Sequence, residues 1–432
     1  MKILIYGLNY SPELTGIGKY TGEMAAWLAE RGHEVRVVTA PPYYPAWTIR
    51  EDYRGALYRT EERPGEPIVY RTPLYVPQRP TGLRRIVHLM SFVLGSIPVM
   101  LRQMYWQPDV VFTVEPTFFC TPLTLFVAKS AGAASWLHVQ DFEVDAAFEL
   151  GLLPAQGPIH NAALRIENFF IYAFDRVSGI SPRMVDRAIS KGIPPEHAIL
   201  FPNWVDVQAI HPLPAESRFQ NQIVQDLALK TPSIMDKLIL LYSGNMGAKQ
   251  GLERLGPLAD SFRQDDRVHF IFCGDGALRN RLETSVRDLP NVSLLPLQPL
   301  DRLNHLLNAA DIHLLPQRAS AADLVMPSRL SAMLASGRPV IATAHPGTQI
   351  ATVLEGRGVI VPTDEPEALH NAVRMLMDCP QLRSRLGCAA REYAVEHLSK
   401  HAILSEFESH LQRLIERSGV AGRQNAPMAA AT

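Results

Sequence analysis

Apolar runs of strand length recur along the chain at residues 3–6, 35–39, 110–114 and 135–139, and again at 239–242, 269–273, 292–295, 312–315 and 340–343. Helix-length segments separate most of them. Residues 21–31 place Met24, Trp27 and Leu28 on one face and stop at Gly32, a suitable C-terminal glycine for a helix returning to the next strand. Strands alternating with helices predict parallel sheets covered on both faces. The pattern also starts over. Lys2-Ile-Leu-Ile-Tyr-Gly7 leads to Gly16-Ile-Gly18-Lys19, and Leu238-Ile-Leu-Leu-Tyr-Ser-Gly244 leads to Asn245-Met-Gly-Ala-Lys249. The expected fold class is α/β, with two doubly wound domains at residues 1–205 and 206–395. The break follows Phe201-Pro-Asn-Trp-Val-Asp206, where Pro212 and Pro214 open a polar stretch. Residues 419–432 are small and polar without periodicity, which predicts a frayed tail.

Composition narrows the function classes. The 432 residues are 47% hydrophobic and 20% charged, which is globular and not disordered. A formal net charge of -1 gives no global field for nucleic acid. Cys120, Cys273, Cys379 and Cys388 form no C-x-x-C pair and lie in or beside apolar segments, so buried reduced thiols in a cytoplasmic protein are expected. No uninterrupted apolar run reaches the roughly 18 residues needed to span a bilayer; the nearest is 86–101. That run lies within residues 67–108, which contain Arg71, Arg79, Arg84, Arg85 and Arg102 but no acid. Two readings stand level: a membrane-interface segment with Arg84 and Arg85 at anionic headgroups, or a buried helix of the first domain.

Candidate chemistry clusters at strand ends. A glycine loop lets backbone N–H groups approach a phosphate, and both halves carry one. The first, with Gly16 and Gly18, lacks the ribose-binding acid of a dinucleotide fingerprint, since the second strand ends Val37-Val38-Thr39. Tight strand–helix packing is the alternative for those glycines. In the second, Gly244 and Asn245 precede Lys249, whose ammonium could neutralise a diphosphate leaving group, although P-loop spacing is absent. Asp323-Leu-Val-Met-Pro327-Ser328-Arg329-Leu330 reads as a helix opening whose free N–H groups and arginine fork suit an anion. In the first half His138-Val-Gln140-Asp141, with Asp145 beyond, follows a strand and lies where ligands of doubly wound sheets bind. His397 and His401 lack the glutamate of a zinc motif, and the chain has no D-x-D pair, so metal independence is expected.

Together these segments, with Ile180-Ser181-Pro182, Gly274-Asp-Gly276 and Ala335-Ser-Gly337-Arg-Pro339-Val340, resemble the family 4 retaining glycosyltransferases of GT-B fold over roughly residues 1–415. The resemblance implies a nucleotide-sugar donor held by the second domain, an acceptor held by the first, and no cofactor. Within the family it points to bacterial exopolysaccharide (colanic acid) assembly, with L-fucose passing from GDP-fucose to a lipid-linked oligosaccharide at the cytoplasmic face of the inner membrane. Lys249, Ser328 and Arg329 would face the diphosphate, with Gly244 and Asn245 close by and Leu297 at the nucleobase. Asp323, Pro327 and Leu330 would complete the donor side, where Gly16 and Gly18 would close over the ligand. Asp141, His138, Lys249 and Arg329 are the expected catalytic group, with Gln140, Asp141 and Asp145 on the acceptor side. A helix at 396–418 is expected to pack back on the first domain. The chain departs from the family pattern at Asn245, where arginine is usual, at Gln140, where histidine is usual, and at Leu324 and Ala332, which replace the E-x7-E glutamates. A nucleotide-sugar 2-epimerase and a non-catalytic nucleotide-sugar-binding homologue are the alternatives.

Overall fold

The computed structural model describes residues 1–13, 16–78, 82–149, 157–247, 250–318, 327–363 and 365–417. It divides into two compact units, Met1–Pro202 joined by the segment from Ile403, and Asn203–Ala402. In the first unit the strands are β1 (Lys2–Tyr6), β2 (Glu34–Thr39), β3 (Arg59–Glu61), β4 (Ile68–Arg71), β5 (Val110–Glu115), β6 (Ala134–Val139), β7 (Arg176–Gly179) and β8 (Ala198–Leu200). They form one sheet in the order β3-β4-β2-β1-β5-β6-β7-β8, with Ile3 registered between Val35 and Val110. Among the described residues only the β3–β4 pair is antiparallel.

The second unit has a six-stranded parallel sheet: β9 (Leu238–Ser243), β10 (Val268–Cys273), β11 (Val292–Leu295), β12 (Ile312–Leu315), β13 (Val340–Thr343) and β14 (Gly358–Val361). Its order is β11-β10-β9-β12-β13-β14. All nine runs visible in the sequence are strands. The others, β3, β4, β7, β8 and β14, lie at or next to sheet edges. In β3, β4, β8 and β14 burial on both faces is incomplete, so an unbroken apolar run is not needed, and β7 is mostly buried but is only the four residues Arg176-Val-Ser-Gly179.

Several local expectations change. Gly16-Ile-Gly18-Lys19 is the opening of the helix Gly16–Glu30 and not a loop. A Cβ on Gly18 would stand 2.7 Å from the Glu13 side chain, and one on Gly22 2.7 Å from Ser11, so both glycines serve close packing. Cys120 and Cys273 are buried, but Cys379, at the junction of two helices, is half-buried and Cys388, on the second of them, is exposed. The apolar run 86–101 belongs to a longer helix, Leu83–Trp106, long and apolar enough to cross a membrane by length and composition alone. In the fold it packs on the first sheet through Leu89, Phe92 and Met100, and Tyr6 and Ser96 hydroxyls meet at 2.6 Å.

The C-terminal region forms two helices, Pro380–His397 and Lys400–Arg417, on either side of a bridge between Val205 and Ser399. The last helix belongs to the first unit. Its Phe407 stacks on Phe201 at 4.3 Å and meets Phe112 and Trp136 edge-on at 5.2 Å. Its Glu408 accepts hydrogen bonds from Arg31 at 2.8 Å and His33 at 2.7 Å. The expected tail, 419–432, lies outside the described residues.

Candidate active site

In the second unit the strand order reverses between β9 and β12, and ligands of open α/β sheets bind beyond the carboxyl ends of the strands at such a point. The loops there are pressed together. Gly251 has φ +61°, and a Cβ on it would stand 3.2 Å from the Gln317 main chain beyond β12. Gly274, beyond β10, has φ +153°, and its Cβ would lie 2.0 Å from the Gly244 carbonyl oxygen. Only glycine fits at Gly274, and at Gly251 any side chain would be strained.

Arg329 completes this end of the sheet. It sits in the first turn of the helix Ser328–Ala335, which Pro327 precedes. Its Nη1 donates to the Tyr242 hydroxyl at 2.8 Å, and its guanidinium lies 4.9 Å from that ring's centre. The Tyr242 hydroxyl in turn donates to the Asn245 carbonyl at 2.6 Å. Burial pushes the Tyr242 phenol up, opposed by the Arg329 charge. A Cβ on Gly244 would touch the arginine at 3.4 Å. The structure thus brings Gly244, Asn245, Pro327 and Arg329 into one cluster. Arg329 forms no ion pair among the described residues, which leaves most of its five N–H donors for a ligand.

Other expected donor residues fare differently. Leu297 follows β11 and is exposed, as a side chain facing a ligand must be. The Leu330 side chain is buried in the core, so only its main chain could reach a donor. Lys249 and Asp323 lie outside the described residues, and the Ser328 side chain is likewise not described. Gly16 and Gly18 belong to the first unit.

The strand-end residues of the first unit also separate. His138 is buried, with Phe112 and Phe201 ring centres 5.8 and 4.9 Å away. Its Nδ1 meets the Ser178 hydroxyl at 2.9 Å and its Nε2 meets the Gln140 amide nitrogen at 3.1 Å. Burial lowers its pKa to about 3. A ring so enclosed stays neutral and suits a scaffold better than a proton carrier, which argues against the expected catalytic His138. Gln140 is buried against it. Asp145 is committed to Arg187, at 3.0 and 3.1 Å, and to Lys191 at 3.1 Å. Burial raises its carboxyl, but those cations outweigh it and hold the pKa below the ordinary value. Its acceptor role therefore competes with a formed ion-pair network. Asp141 is half-buried, just beyond the end of β6.

Two acids of this end escaped the sequence reading. Glu115 ends β5 fully buried and accepts the Glu143 N–H at 3.3 Å. Glu143 accepts the Phe118 N–H at 2.8 Å and the Thr117 hydroxyl at 3.3 Å. Each keeps one buried oxygen without a partner among the described residues. Burial raises both pKa values, and for Glu115 the Glu143 charge adds to the effect. The signal was a carboxylate closing an apolar run, Val110 to Glu115.

Known proteins place the whole chain. Residues 15–204 match the family model described as "Glycosyl transferase 4-like domain", and residues 225–393 match "Glycosyl transferases group 1". The chain is 43% identical over 417 residues to the Escherichia coli (strain K12) protein WcaI, whose name assigns it to colanic acid biosynthesis as a glycosyl transferase; the match covers 94% of this chain and 98% of that one. Among solved structures, sucrose-phosphate synthase from Thermosynechococcus elongatus matches with a TM-score of 0.70 at 19% identity, covering 96% of this chain and all of that one. Anabaena HepE in complex with UDP matches with a TM-score of 0.66 at 14% identity, over 96% of this chain and 100% of that one. With both halves matched by glycosyltransferase models and both sheets in the corresponding fold, the chain belongs to the family 4 glycosyltransferases of GT-B fold.

Proposed function

We propose that this glycosyltransferase serves exopolysaccharide assembly of the colanic acid type, moving a sugar from a nucleotide diphosphate donor to a lipid-linked oligosaccharide with retention at the anomeric carbon. L-fucose from GDP-fucose is the donor we favour. The observation that carries the donor side is Arg329, seated on Tyr242 over the Gly244–Asn245 turn and without an ion pair among the described residues. A guanidinium held this way stabilises negative charge gathering on the leaving diphosphate. Lys249 and Ser328 would add to it from the same loop and helix start. The C1–phosphate oxygen bond breaks, the acceptor hydroxyl oxygen bonds C1 on the same face, and its proton passes to the departing phosphate. Asp141 would orient the acceptor hydroxyl. No metal is required in this scheme, because the cations are side chains.

The lipid-linked acceptor would place the reaction at the cytoplasmic face of the inner membrane, with the segment carrying Arg84 and Arg85 as the contact. The test is acceptor-dependent release of GDP or UDP from the matching nucleotide sugar. We expect Lys249→Ala and Arg329→Ala each to abolish release. Full activity in both variants would remove the phosphate-site assignment, and binding of the donor without any transfer would favour a non-catalytic binding protein.

A further inference from the structure

Three helices of the first unit cover one face of its sheet. Leu83–Trp106 leads from β4 across to β5, Thr121–Ala131 joins β5 to β6, and Pro158–Tyr172 precedes β7. All three crossovers advance in the same direction along the sheet, so right-handed connections put them on the same side. Leu83–Trp106 and Thr121–Ala131 share a core with β1 and β5, and Phe170 and Ile171 of the third helix pack with Leu125 of the second. Their outer sides therefore look the same way.

Those outer sides are apolar. Leu83, Val87, Leu94, Leu101 and Tyr105 recur at helical spacing along the first helix, and all are exposed. Phe126 is exposed on the second helix, and Ile166, Phe169 and Tyr172 on the third. Almost half of the large hydrophobic side chains exposed among the described residues lie on these three helices. Phe169 is 69% exposed and Tyr105 92%, values without a use in water. A patch of this breadth marks an interaction surface.

Its charge has one sign. Across the three helices the only acid is Glu167, which is fully buried against Lys191, whereas Arg84, Arg85, Arg102, Lys129 and Arg165 are the cations. None of these five forms an ion pair among the described residues. The neighbouring helix, Pro182–Ser190, brings Asp186 and ends the acid-free region. Arg71, from the same basic stretch of sequence, does not belong to the face: it is buried and donates to Glu61 at 3.1 Å and to the Ala40 carbonyl.

We propose that this three-helix face docks on an anionic lipid bilayer, seating its aromatic and aliphatic side chains at the acyl boundary and its cations among the headgroups. Apolar area with flanking cations and no acids fits that surface. The helix Leu83–Trp106 lies on the membrane and does not cross it, since its other side forms the domain core. This deepens the membrane contact proposed above, and the same surface would bind lipid whatever the donor.

The experiment is co-sedimentation of the full chain with phosphatidylcholine vesicles, with and without phosphatidylglycerol. Wild type is expected to pellet with the anionic vesicles and to be released by salt. Arg84→Glu with Arg85→Glu should weaken binding by roughly 25-fold or more, at about fivefold per cation. Phe126→Ser with Phe169→Ser should weaken it by at least about tenfold through lost apolar burial. No binding of wild type to anionic vesicles, or unchanged binding in both variants, overturns the proposal. So does a wild-type dimer that the phenylalanine changes dissociate, since a second copy would then cover the face. GDP and UDP binding by the same variants reports separately on the transfer reading and on folding.

Discussion

At the scale of single residues, the donor end of the second unit is held by contacts that admit little change. A Cβ on Gly274 meets the Gly244 carbonyl oxygen at 2.0 Å, from a backbone conformation that side chains rarely adopt. Gly274→Ala should therefore destabilise the protein by about 2 kcal/mol or more, through overpacking and strain together. Gly356→Ala is the control: its φ is +72° but nothing lies within 4 Å, so a smaller loss of about 1 kcal/mol is expected in urea unfolding. Arg329 was legible in the sequence as an anion ligand, but its seat on Tyr242 was not, because the tyrosine reads there as one more apolar strand residue. His138 was visible as a strand-end histidine, but its enclosure was not. Nothing in the sequence revealed that Phe112, Phe201 and Ser178 converge on it from other segments.

Individual elements carry the buried charge and the return of the chain. Glu115, at the end of β5, has its pKa raised well above the ordinary 4.5 by burial and by Glu143 and Glu167. In the folded protein it holds a proton that the unfolded chain gives up, so its contribution is present below pH 4.5 and is lost as pH rises through the folded value. Glu115→Gln should flatten the fall of melting temperature with rising pH. An unchanged profile would show the carboxylate to be paired as an anion. The buried histidines act at the other end. His138 and His313 have pKa values lowered to about 3 by burial, so stability should fall as pH drops from 6.5 toward 3, where the unfolded chain binds protons first.

The helix Lys400–Arg417 shows how much a single element can decide. Phe407→Ala removes a ring packed against Phe112, Trp136 and Phe201 and should cost about 3–5 kcal/mol, read by chemical denaturation. A helix was expected there from the sequence. The break at residues 398–399 was not, because Leu398 and Ser399 carry no glycine or proline to signal it. Two of the missed strands were hidden because their residues are mixed and short: Arg176-Val-Ser-Gly179 is a strand by pairing with residues 136–139, forty positions earlier, and Arg59-Thr-Glu61 by a local antiparallel pairing with residues 69–71.

For the whole molecule, the restart at Leu238 was the most legible feature, since each doubly wound sheet needs central strands buried on both faces and these stand out as apolar runs. Function follows the same division. The residues assigned to the donor diphosphate lie in the second unit and the acceptor-side Asp141 in the first. Asp141→Asn should therefore reduce transfer while leaving nucleoside diphosphate affinity unchanged. The departures at Asn245, Leu324 and Ala332 make the donor site the part of the account most in need of a direct reading. That reading is a calorimetric titration of GDP and UDP into the wild type and Arg329→Ala. The account predicts that one of the two nucleotides binds, and that the variant, with its melting temperature unchanged, binds it about tenfold to a hundredfold more weakly, as loss of charge-assisted phosphate contacts requires. Equal affinity in the two proteins would contradict it.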